Sequence, residues 1–78
     1  MFKLKSTKIG ILGGSFDPVH KGHLKISKIA LKKIKLKKIY WVVTKKNPFK
    51  EKTFFSLKDR IDKAKKISNK IKNIEVLY

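Results

Sequence analysis

The chain contains no cysteine. That excludes a disulfide scaffold and any thiolate-held metal. Acidic residues are scarce, five against 22 basic ones, which leaves a net charge of +17. No apolar run approaches the roughly 18 residues of a membrane span. The basic start, Met1 to Lys8, has no apolar stretch behind it and no small-residue cleavage site, so no secretion signal is expected. A cytoplasmic, reducing setting fits these absences. Arginine is nearly missing too: Arg60 is the single one, and every other basic residue is lysine. Surfaces that read nucleic acid usually recruit arginine, whose planar fork suits phosphates and bases. Lysines spread over solvated positions read as compositional bias, so nucleic acid is not the expected partner. With 78 residues, one partial domain is the most the length allows. The 41% hydrophobic content suffices for collapse, but little surface is buried by so short a chain.

The pattern along the chain is that of an α/β protein. Lys8 to Gly13 alternates and ends in glycines, as a short buried strand does. Gly14 to His20 reads as a loop. A helix is predicted from about Gly22 to Lys35, with Ile26, Ile29, Ala30 and Ile34 as its apolar stripe. Lys38 to Thr44 is a near-continuous β-branched and aromatic run, typical of a strand covered on both faces in a parallel sheet. A loop from Thr44 to Phe55 follows. Ser56 then opens a helix in a Ser-x-x-acid capping pattern. Leu57, Ile61, Ala64, Ile67 and Ile71 continue it, and Asn73 can end it. Ile74 to Tyr78 is a third strand. The order β-α-β-α-β is that of an open parallel sheet and of one mononucleotide-binding half of a doubly wound fold. Such a half-sheet leaves an edge and a helix face uncovered. The chain is therefore expected to be the first part of a longer protein, or to need a partner or self-association.

The chemistry concentrates in Gly13-Gly-Ser-Phe-Asp-Pro-Val-His-Lys-Gly-His23. Ligands of open α/β sheets sit at the carboxyl ends of the strands. Gly13 and Gly14 let the backbone come close to a ligand. Backbone N–H groups there, and at the helix start behind them, favour a phosphate. His20 and His23 lie three apart where the helix begins, so both can face one anion. Gly22 between them leaves room for a triphosphate. The loop is neither a Gly-Lys-Ser/Thr phosphate loop nor a G-x-G-x-x-G fingerprint. No third ligand stands near the histidine pair, so no metal site is expected.

This segment resembles the signature of the His-x-Gly-His nucleotidylyltransferases. Its wording is similar to that of the bacterial nicotinate-nucleotide adenylyltransferases. Tyr40 to Lys50 resembles that family's second strand and Asn-Pro-x-Lys loop, and Ser56 to Ala64, with Arg60, its Ser-x-x-x-Arg helix start. The resemblance runs from Lys8 to Tyr78 and implies a Rossmann-like nucleotidylyltransferase fold. It also implies a reaction: ATP and nicotinate mononucleotide give nicotinate adenine dinucleotide and pyrophosphate, with Mg²⁺ accompanying ATP. On this basis His20 and His23 serve the ATP phosphates, and the N–H groups of Gly14, Ser15 and Phe16 line the substrate pockets. Lys50, and more weakly Lys45 and Lys46, offer charge to a phosphate, and Thr44 offers a hydrogen bond. Asp17 is expected to shape the loop. Trp41 either stacks on a base or belongs to the core, the commoner fate of a Trp in an apolar strand. Arg60 either reaches a phosphate or pairs with a helix carboxylate. Family members are more than twice this long. The alternatives are another adenylyl- or cytidylyltransferase, an inactive fragment, or a basic nucleic-acid-binding module.

Overall fold

A computed structural model describes residues 2–4, 9–45 and 54–78. The order of elements is β1 (Phe2–Leu4), β2 (Ile9–Gly14), α1 (Lys21–Lys33), β3 (Lys38–Val43), α2 (Leu57–Ser68) and β4 (Ile74–Leu77). They form one four-stranded sheet in the order β1-β2-β3-β4. β2, β3 and β4 pair in parallel, with α1 and α2 as the connections. The expected β-α-β-α-β unit is therefore present. The short edge strand β1 was not legible in the sequence. It pairs antiparallel with β2, Lys3 opposite Ile11, and so covers one edge of the parallel unit.

Several boundaries differ from the expected ones, and β3 and β4 each stop one residue early, at Val43 and Leu77. β2 runs on through Gly14. α1 ends at Lys33, because Lys35 takes a left-handed φ of 56° that no helix continues. α2 ends at Ser68, with Asn69 as its cap, so Ile71 lies in the turn before β4. The Ser56 cap is as predicted: its Oγ accepts the Asp59 N–H at 3.1 Å.

Two faces also differ. β3 is not covered equally on both sides. Ile39, Trp41 and Val43 are buried, while Lys38, Tyr40 and Val42 are only partly so. The chemical run is continuous, but a strand turns successive side chains to opposite faces. In α1, Ser27 and Ala30 are buried, and Leu24 and Leu31 pack partly on the core. Ile26, Ile29 and Ile34 of the expected stripe are 44–48% exposed. The reason is Trp41. This large, fully buried ring meets a small residue on the helix: its Nε1–H donates to Ser27 Oγ at 2.9 Å, and Ser27 Oγ donates to the His23 carbonyl at 2.8 Å. A bulky isoleucine at that position would hold the helix off the strand. Trp41 is thus a core residue, and the base-stacking alternative falls away.

Candidate active site

The carboxyl ends of β2 and β3 converge where Thr44 N–H donates to the Gly14 carbonyl at 2.9 Å. The chain then runs from Ser15 through the cis Asp17–Pro18 bond to α1. Gly14, Ser15, Phe16, Asp17, His20 and His23 line an open cleft of about 370 Å³. This unites most of the residues singled out in the sequence. Thr44 is exposed and lies beside the cleft without lining it. Lys46 and Lys50 lie outside the described residues.

The two histidines form the start of α1. His20 is its N-cap. Its Nδ1 accepts the Gly22 N–H at 3.0 Å, and His23 Nδ1 accepts the His20 N–H at 3.0 Å. This is a capping box built from imidazoles, with histidine in the role usually taken by Ser/Thr and Glu. The spacing of three residues is the signal that could have revealed it. A nitrogen that accepts a hydrogen bond carries no proton, so each neutral ring holds its proton on Nε2. Among the described residues neither Nε2 has a partner. The first turn of α1 holds no acidic residue to compete for the positive end of the helix. Two N–H donors therefore stand at a helix N-terminus, an arrangement made for an anion.

Burial and the neighbouring His20 hold the His23 pKa below its ordinary value. His23 stacks on the buried Phe16 at 4.4 Å, and Phe16 stacks on Trp41 at 5.5 Å. The sign of the pH effect follows. Above pH 6.5 the ring is neutral folded or unfolded, and its contribution to stability is fully present. Below it, the unfolded chain takes up a proton that the folded chain resists, and the contribution is lost as pH falls through the depressed folded value. A histidine NMR titration is expected to give His23 a midpoint below 6.5. A midpoint at or above that value would contradict the packing described.

Gly22 has a different role from the expected one. A Cβ there would lie 2.6–2.8 Å from the His20 ring. The space that the missing side chain leaves is taken by His20 itself, not kept for a ligand. Gly22→Ala is expected to displace the ring while leaving stability nearly unchanged. Alanine gains about 0.5–1 kcal/mol of helix propensity, and loss of a cap costs a similar amount. Urea unfolding with ATP titration separates the two effects: affinity falls and the midpoint stays.

Positive φ also appears where the glycines did not point. No described glycine is left-handed; Phe16 is, at φ 51°. Gly14 needs no bare Cα for internal packing, since a Cβ there would meet only Phe16, at an ordinary 4.0 Å. Asp17 does not bond its own turn. Its carboxylate reaches across to the N–H groups of Phe54 and Phe55. Arg60 pairs with no helix carboxylate among the described residues. It is buried and donates to backbone carbonyls.

A family model described as cytidylyltransferase-like matches residues 11–77. The chain belongs to this family. It is 58% identical over 74 residues to a probable nicotinate-nucleotide adenylyltransferase of Pelagibacter ubique, covering 95% of this chain and 41% of that protein. It is 49% identical over 59 residues to one from Ruegeria, covering 76% and 31%. It is 41% identical over 69 residues to one from Endomicrobium trichonymphae, covering 88% and 36%. The chain thus spans about two-fifths or less of the length of these relatives. Among the described residues no helix is long and apolar enough to cross a membrane.

Proposed function

We propose that this chain carries the ATP-binding part of a nicotinate-nucleotide adenylyltransferase. The observation that carries this is the pair of imidazoles lining the cleft, their Nδ1 atoms tied to backbone N–H groups and their Nε2 atoms without a partner among the described residues. The relatives' names supply the acceptor, nicotinate mononucleotide. A phosphate oxygen of the mononucleotide attacks the α-phosphorus of ATP in line. The bond from the α-phosphorus to its bridging oxygen breaks, and pyrophosphate leaves with the electron pair. Such a transfer needs positioning and charge neutralisation more than proton transfer. His20 and His23 donate to the phosphate oxygens that gather charge. The N–H groups of Gly14, Ser15 and Phe16 line the nucleotide, with Gly13 keeping the backbone close. Thr44 and Lys50 are further binding positions.

Mg²⁺ fits as part of the substrate. Among the described residues the only carboxylate lining the cleft, Asp17, has both oxygens engaged by backbone N–H groups. The ion would be held by phosphate and water, its preferred ligands, and would neutralise phosphate charge. NAD synthesis by a soluble enzyme also fits the cytoplasmic setting expected from composition.

The test is pyrophosphate release with ATP and Mg²⁺, comparing nicotinate mononucleotide, nicotinamide mononucleotide and phosphopantetheine, alongside ATP affinity by calorimetry. ATP binding, with release for nicotinate mononucleotide alone where turnover occurs, is the expected result. Release with another acceptor would reassign the substrate. Folded protein that binds no ATP would overturn the proposal.

A further inference from the structure

Among the described residues, Arg60 is the one charged side chain in the core, 1% exposed. Among the described residues no carboxylate is one of its hydrogen-bond partners. Its Nε donates to the Phe55 carbonyl at 3.1 Å. One terminal nitrogen donates to the carbonyls of Ser15 at 2.9 Å and Thr44 at 2.6 Å, and the other to that of Lys45. A buried cation is costly unless its donors are met. Here a rigid fork meets four oxygens from three separate segments, a match that a lysine ammonium cannot reproduce.

Asp17 makes the opposite connection. Its two oxygens accept the N–H groups of Phe54 and Phe55 at 2.6 and 2.8 Å. Phe55 is thus held through its N–H by Asp17 and through its carbonyl by Arg60. The cleft loop is stitched to the segment before α2 on both sides of Phe16. That residue has the left-handed φ, a conformation that persists only when its surroundings enforce it. Peptide geometry adds a direction. In a trans unit the C=O and N–H point oppositely. With the Ser15 carbonyl aimed at Arg60, the Phe16 N–H is turned away from Arg60. With the Thr44 carbonyl aimed there, so is the Lys45 N–H. Carbonyl oxygens that would repel an anion are gathered beneath the loop.

We propose that Arg60 and Asp17 are positioning residues of the phosphate site: they brace the Ser15–Asp17 loop so that its amides face a polyphosphate and the Phe16 ring backs His23. The inference rests on the phosphate-binding function above. Neither residue needs to touch the nucleotide, and Arg60 does not line the cleft.

The test uses the full chain labelled with ¹⁵N, as wild type, Arg60→Lys and Asp17→Asn, titrated with magnesium pyrophosphate. In Arg60→Lys the β3 amide signals are expected to persist. The Ser15 and Phe16 signals should shift or broaden, and pyrophosphate affinity should fall about tenfold, the scale of one net hydrogen bond. Asp17→Asn keeps one acceptor oxygen and should give a smaller change of the same kind. The double variant should lose less than the product of the two. If Arg60→Lys does not fold, Asp17→Asn carries the same comparison. Loop signals and affinity like those of wild type in the folded variants would overturn the inference. A loosened loop in a protein that binds no pyrophosphate even as wild type would overturn the phosphate site and support the brace.

Discussion

In a protein of the relatives' full length, His20→Ala and His23→Ala are each expected to lower the proposed pyrophosphate release by about a hundredfold or more, the scale for losing one donor to developing charge. Each ring does two jobs. Its Nδ1 accepts a backbone N–H and closes the start of α1, and its Nε2–H is left for a ligand at the cleft that the residue lines. Alanine removes both and also costs about 0.5–2 kcal/mol of cap. His20→Asn separates them, because asparagine is a good N-cap with no donor at the Nε2 position. That variant should unfold at nearly the wild-type urea concentration and still turn over about a hundredfold more slowly. Near-normal turnover in His20→Asn would remove His20 from the chemistry and leave it a cap.

Trp41→Ala is expected to remove a large share of the protein's stability and to lower its urea midpoint strongly. Emptying the space of a buried tryptophan costs about 3–5 kcal/mol. A chain of this length has only about 4–12 kcal/mol in all. The ring is fully buried, stacks on Phe16 and anchors α1 through Ser27 to the carbonyl of His23. Trp41→Phe keeps an aromatic ring but loses the Nε1 bond and part of the indole volume, so a smaller cost, about 1–3 kcal/mol, is expected there. Circular dichroism with urea reads both. A midpoint for Trp41→Ala close to that of wild type would contradict the packing around which the site is built.

The parallel β-α-β-α-β unit was legible because its signals are local. Alternation in Lys8 to Gly13, helical spacing after Ser56 and the β-branched run of β3 each specify an element without help from the rest. What stayed hidden depends on distant partners. The face of α1 is chosen by a tryptophan 14 residues away, so the isoleucine stripe misleads. β1 exists because β2 offers an edge. In the site, the loop, both histidines and the lining glycine were readable from Gly13 to His23. The left-handed Phe16 was not, since nothing in a phenylalanine favours that conformation. Arg60 was hidden for the same reason: its four carbonyl acceptors belong to residues that only the fold brings together.

Long-range ¹H–¹⁵N NMR of the two imidazoles near neutral pH, with and without magnesium ATP, tests the central claim most directly. The account predicts that both rings are Nε2–H tautomers before ligand is added, and that both Nε2 signals move on binding while the Nδ1 signals stay tied to their backbone donors. Rings protonated on Nδ1, or Nε2 signals unmoved at saturating ATP, would contradict it.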